Sequence, residues 1–190
     1  RLWRIFYAIS IMAIAVQQLI CRDLRPVIVP AAFPAWLAGR LIITWIVSLL
    51  MIAASVAIIF EIKAREVSLL PGSLLLLFAL LLQFPYELNL YPAHLGVWTD
   101  PLKELTLSGG AFVVAGSLPP GRAMDSFTLF MQKLIPLGKY FIAITMVAFG
   151  IDHFLYTDFV ATLVPAWLPA HVFWTYFAGI ALILSGLALF

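Results

Sequence analysis

The sequence predicts an all-α polytopic membrane protein, a bundle of about six transmembrane helices, on three observations. The first is composition: 64% of the 190 residues are hydrophobic and 11% charged, with mean hydropathy +1.09. A soluble domain is about half apolar and about a quarter charged, so a soluble globular enzyme is excluded. Low charge and high aliphatic content exclude a disordered chain as well. The second is a series of six apolar segments, where about 20 apolar residues make one helical crossing. Such runs are helices because hydrocarbon offers no partner to an open strand edge. The third is an internal repeat whose matches extend into the loops.

The first segment is Leu2 to Ile20, interrupted only by Arg4. The second is about Leu37 to Phe60, uncharged after Arg40, and the third about Val67 to Pro85, with Pro71-Gly72 near its start. The fourth, Leu105 to Leu118, is short and spans only if Pro101 to Glu104 lie at the interface. The fifth is about Leu137 to Tyr156 and the sixth Val172 to Phe190. With six crossings, one side carries Arg1, Arg4, Lys63, Arg65, Arg122, Lys133 and Lys139, and the other Arg22, Arg25, Arg40 and Lys103. Seven basic residues against four place the N-terminus in the cytoplasm. No cleavable signal peptide is evident. The chain opens on Arg1 and closes at Phe190 inside an apolar run, so one or both ends are expected to be missing.

A shift of 135 positions aligns Phe6, Ala8, Ile9 and Ala13 with Phe141, Ala143, Ile144 and Ala148, and Asp23 with Asp158. It also aligns Val29-Pro30-Ala31 with Val164-Pro165-Ala166, and Pro34-Ala35 with Pro169-Ala170. These ten identities fall within the 33 positions from Arg4 to Trp36, where apolar bias alone gives about three. The matched Pro-x-x-x-Pro loops decide the matter, because loops are not forced to be apolar. The repeat begins at the first helix and again at the fifth, which makes it a parallel duplication. The expected organisation is a first four-helix unit over 1–120, a linker over 121–136, and the first two helices of a second unit over 137–190. A seventh and an eighth helix would follow Phe190.

The candidate functional residues gather at the outer helix ends and in the loops. Asp152 and His153 end the fifth segment, and Gln17 and Gln18 hold the equivalent positions in the first. Ionisable groups near membrane depth are costly and tend to be functional. His153 could donate to a quinone carbonyl or relay a proton beside Asp152; the alternative is a solvated pair at the interface or a helix cap. The loops at Pro30 and Pro34, and at Pro165, Trp167 and Pro169, are stiffened by proline. They either cover a lipid or quinone pocket or simply turn the chain. Phe33, Trp36 and Trp167 suit interfacial anchoring. At Trp98-Thr-Asp-Pro-Leu-Lys-Glu, Lys103 and Glu104 lie at the mouth of the fourth segment as lipid- or quinone-pocket candidates; Lys103 could hold an anion or headgroup, or snorkel to the interface. Gly109, Gly110 and Gly116 would let helices approach closely.

Other chemistries find little support. The single Cys21 leaves no disulfide or thiolate cluster. His94, His153 and His171 sit in loops or at helix ends, which does not suit haem held between helices. No H-x-x-x-H or Glu-x-x-His motif supports a metal. A net charge of +2 without a basic stripe leaves nucleic acid out of the expected partners. Those partners are the lipid bilayer and other subunits of a membrane complex. No covalently bound cofactor is expected, and a quinone or lipid is the candidate ligand.

The runs Gly150-Ile-Asp-His-Phe154, Leu163-Val-Pro-Ala-Trp-Leu-Pro169 and Trp174-Thr-Tyr-Phe-Ala-Gly179 resemble the DoxX-like membrane proteins. So do Leu82-Gln-Phe-Pro85 and Trp98-Thr-Asp-Pro-Leu-Lys-Glu-Leu-Thr-Leu-Ser-Gly-Gly-Ala111. The resemblance covers nearly the whole chain and is most specific in the Pro loops and the Trp-Thr-x-Pro-Leu-Lys-Glu stretch. It implies four-helix units, here two in tandem, and a place in a bacterial inner membrane. It also implies a quinone-linked redox setting, since members include small subunits linked to thiosulfate:quinone oxidoreductase. Gln17-Gln18 in place of Asp-His, and Ala32 in place of Trp167, depart from the pattern. Any histidine-dependent activity is thus expected in the second unit alone. Three functions compete: a non-catalytic accessory subunit of a redox complex, a quinone-reactive oxidoreductase subunit, and, ranked last, a small-solute transporter.

Overall fold

The computed structural model describes residues 1–30, 39–90, 92–119 and 126–190. Phe33, Pro34 and Trp36 of the first Pro loop, with Ala32, and Arg122 of the linker lie outside the described residues. The described residues are helical and include no strand. The helices are α1 (Leu2–Cys21), α2 (Arg40–Ile59), α3 (Ala64–Phe78), α4 (Phe84–Leu90), α5 (Thr99–Gly116), α6 (Ser126–Gln132), α7 (Gly138–Leu155), α8 (Thr157–Thr162) and α9 (His171–Leu187). A π-turn over Ala79–Gln83 joins α3 to α4, so Ala64–Leu90 is one continuous 27-residue helix with Pro71 inside it.

Four helices among the described residues are long and apolar enough to cross a membrane: Leu2–Cys21, Arg40–Ile59, Ala64–Leu90 and Thr128–Leu155. The chain is therefore read as a multi-pass membrane protein. The fourth and sixth expected segments fall short of that standard for different reasons. α5 begins six residues before the expected Leu105, and its first turns carry Asp100, Lys103 and Glu104. α9 is apolar throughout but has 17 residues. The stretch expected as a linker contains α6, whose Met131 is buried against Leu69, Phe112 and Ala115.

Successive long helices run in opposite directions. Arg4 at the start of α1 bonds Glu61 just beyond α2, at 3.1 Å, while Asp23 after α1 accepts from Arg40 at the start of α2, at 2.7 Å and 2.8 Å. Ser108 of α5 donates to the Gly72 carbonyl of α3, and Arg65 of α3 reaches Ala115 and Leu118. Thr145 of α7 donates to Leu102 of α5. Gly150 of α7 lies against Gly179 of α9, and Gly186 against Ala143. The bundle thus has two ends, one with Arg1, Arg4, Glu61 and Arg65, the other with Asp23, Arg40, Lys103 and Asp152.

α5 is the central rod. It packs on α3 and α7, and the Tyr7 hydroxyl of α1 donates to its Leu107 carbonyl at 2.7 Å. It carries no exposed large apolar side chain, whereas α1, α2, α3, α7 and α9 all do. Leu41, Ile42, Leu49 and Leu50 of α2 are examples. That distribution is what lipid selects: apolar residues outward, and small or polar residues such as Ser108, Gly109 and Ala111 between helices.

The last carbonyls of a helix have no partner within it. Arg65 supplies one for α5, its Nη1 donating to Ala115 and Leu118 and its Nη2 to Gln132. Arg65→Ala is expected to lower unfolding stability in detergent by about 2 kcal/mol, the scale of hydrogen bonds to a charged group. Arg65→Lys should recover part of it, which chemical-denaturant titration would measure. A loss below about 0.5 kcal/mol would mean the cap is not structural.

Candidate functional site

At the second end of the bundle a cleft of about 1010 Å³ opens between the 94–103 segment, the end of α7, α8, the second Pro loop and the start of α9. Its walls are mostly apolar and aromatic, with Phe149, Phe159, Trp174 and Phe177 among them. Large apolar clefts with a few fixed polar groups are the usual form of a small-molecule site. The local sequence explains its shape. α7 ends at Leu155, and Tyr156 leaves helical geometry before α8 begins. The loop then turns where Leu168 donates to the Pro165 carbonyl, and Ala170 takes a positive φ of 59° to start α9.

The polar groups are few and well defined. Asp152 is 7% exposed, and among the described residues neither of its carboxyl oxygens has a hydrogen-bond partner. His94 and His153 are close enough to act electrostatically on it. His153 Nδ1 lies 2.7 Å from the Phe149 carbonyl. A carbonyl only accepts, so Nδ1 carries a proton in this contact. The Nδ1 proton is thus held within the helix, and only Nε2 is left for a ligand. His94 stacks on Tyr156 with ring centroids 5.4 Å apart. The Tyr156 hydroxyl accepts from the Gly96 amide at 3.2 Å and lies 3.4 Å from His94 Nδ1.

The structure brings together Asp152, His153, Lys103 and Pro165, all on the cleft wall. Lys103 is exposed and paired with Asp100 at 3.1 Å. Trp98 is half-buried nearby, its ring 5.9 Å from that of Phe84. The other candidates go elsewhere. Glu104 is fully buried in α5, its carboxyl oxygens unpartnered among the described residues, and it does not line the cleft. Gln18 is buried between α1 and α2, accepting from Ser48 at 3.3 Å, while Gln17 is exposed. Pro30 is buried at the start of the first Pro loop, and Pro34 lies outside the described residues. Trp167 is 80% exposed and Pro169 accepts from Trp174 Nε1, and neither lines the cleft.

Sequence reasoning placed His94 only as an unsuitable haem ligand and passed over Tyr156. The two stand 62 positions apart, so no local spacing signals their contact. Among the described residues no three of His, Cys, Asp and Glu gather to hold a metal ion. No family model matches the chain, and no curated protein and no solved structure matches it either.

Proposed function

We propose that this chain is a DoxX-like integral membrane protein, an accessory subunit of a membrane redox complex that holds a quinone-class lipid in its end cleft. Electrons would come from a partner subunit, and the chain itself would catalyse no reaction. The observation that carries this reading is the cleft: an apolar, aromatic-walled space at one end of a lipid-facing bundle, with Asp152 and His153 among its few polar groups. An amphipathic ring with an apolar tail fits such a space better than a hydrated solute does.

Six spans belong to the same proposal. The 18 residues of α5 and 17 of α9 reach about 27 Å and 26 Å at 1.5 Å each, near the thickness of a bilayer's hydrocarbon core. The parallel duplication rests on the 135-position repeat, with α1–α2 and α7–α9 as corresponding antiparallel pairs. The count of basic residues puts the N-terminus inside and the cleft at the outer face of a bacterial inner membrane.

The test is a pull-down of the tagged native protein in mild detergent, with mass spectrometry and quinone extraction on one eluate. A stoichiometric redox partner together with extractable quinone is expected. A lone protein carrying neither overturns the proposal.

A further inference from the structure

The wall segment 92–98, between α4 and α5, contains no buried residue. Tyr156 ties it across the cleft. The His94 ring stacks on the Tyr156 ring, and the Gly96 amide donates to the Tyr156 oxygen at 3.2 Å. His94 Nδ1 lies 3.4 Å from the same oxygen. A Cβ on Gly96 would come within 3.2 Å of the Tyr156 ring, so glycine is what lets the backbone lie this close.

Tyr156 stands one helical turn beyond Asp152, its amide donating to the Asp152 carbonyl at 2.8 Å. Residues four apart share one face of a helix, so a segment stacked on Tyr156 runs across the face that carries Asp152. The burial agrees. Asp152 lines the cleft, yet both its carboxyl oxygens are shut off from solvent and have no hydrogen-bond partner among the described residues. His94, on the segment itself, is close enough to act on the carboxyl electrostatically.

We infer that 92–98 is a strap latched over Asp152 by Tyr156, and that releasing the latch opens the Asp152 carboxyl to the cleft. Segments with few buried contacts open at low cost, and walls that swing aside are a common way for a site to admit a bulky ligand. Latched, the carboxyl is sealed within the wall. Released, it joins the cleft as a hydrogen-bonding group. A carboxyl can serve a ligand in either protonation state, by donating when neutral and by accepting when ionised. The strap therefore governs access to Asp152 whichever lipid occupies the cleft.

The experiment is thiol labelling of the full chain in mild detergent with a water-soluble methanethiosulfonate. A Cys21→Ser background removes the exposed native thiol. Asp152→Cys reports the sealed position and Trp167→Cys the open surface. Ser108→Cys, buried between α5 and α3, reports the bundle itself. Asp152→Cys is expected to label far more slowly than Trp167→Cys. Adding Tyr156→Phe keeps the ring and removes both hydroxyl contacts, and should speed that labelling about tenfold, the scale of one or two ordinary hydrogen bonds. His94→Ala, at an exposed position, should speed it at least as much, and decides alone if Tyr156→Phe does not fold. Asp152→Cys labelling as fast as Trp167→Cys with the latch intact overturns the strap. So does a rate that neither latch variant changes. Equal speeding at Ser108→Cys overturns it too, because the whole bundle would then have loosened.

Discussion

Phe112→Ala is expected to lose about 4 kcal/mol of unfolding stability, the range for emptying a closed aromatic site. Phe112 is fully buried in the last third of α5. It reaches two neighbouring helices: its ring lies against Gly72 of α3, its Cβ against Gly138 of α7, and its ring centroid is 6.3 Å from that of Phe141, also of α7. Two of those neighbours are glycines, which have no side chain to move into the space, so only the Met131 and Leu69 side of the cluster can relax toward it. Phe112→Leu should lose less, about 1.5 kcal/mol, because it keeps most of the volume. Denaturant titration of both variants in one detergent measures the pair. Equal losses would show that filling this volume is not what the ring contributes.

Gly109→Ala is expected to lose about 3 kcal/mol, against the usual sign for this change. In a helix interior glycine to alanine ordinarily gains up to about 1 kcal/mol. Here a Cβ on Gly109 would come within 2.6 Å of the Gly138 carbonyl oxygen, and one on Gly138 within 2.7 Å of the Gly109 carbonyl oxygen. Both obstacles are backbone, so the helices must separate rather than a side chain turn aside. Gly138→Ala should match Gly109→Ala, and the double variant should lose less than the sum, because the first substitution already parts the helices. A stability gain from either single change would refute the close crossing.

The helix class and most helix ends were legible because runs such as Leu2 to Ile20 leave the chain no other way to satisfy its backbone in lipid. The start of α5 was not, because Asp100, Lys103 and Glu104 read as an interface. A helix enclosed by its neighbours need not be apolar all round. The π-turn was hidden too: Leu74 to Leu77 and Leu80 to Leu82 show no periodicity that a register change could break. At the site, residue type alone was enough to single out Asp152, His153 and Lys103. It did not separate Gln17 from Gln18, or Trp167 from Trp174, because burial is decided by which helix packs opposite. Nor did it reveal that the His153 Nδ1 proton is held by the Phe149 carbonyl four residues back.

The bond from the Tyr7 hydroxyl to the Leu107 carbonyl joins residues 100 positions apart, and this sets an order of events during synthesis. At about 5–20 residues per second, α1 waits about 5–20 s after emerging before its partner on α5 exists. Gln18 meets Ser48 after only 30 further residues, and Arg4 meets Glu61 after 57. The α1–α2 hairpin can therefore shelter Gln18 and Arg4 first, while the Tyr7 hydroxyl is left to wait. α5 arrives last among these and closes the centre, so a ribosome that stalls before residue 107 leaves a hairpin that is sound but open along the face α5 should fill.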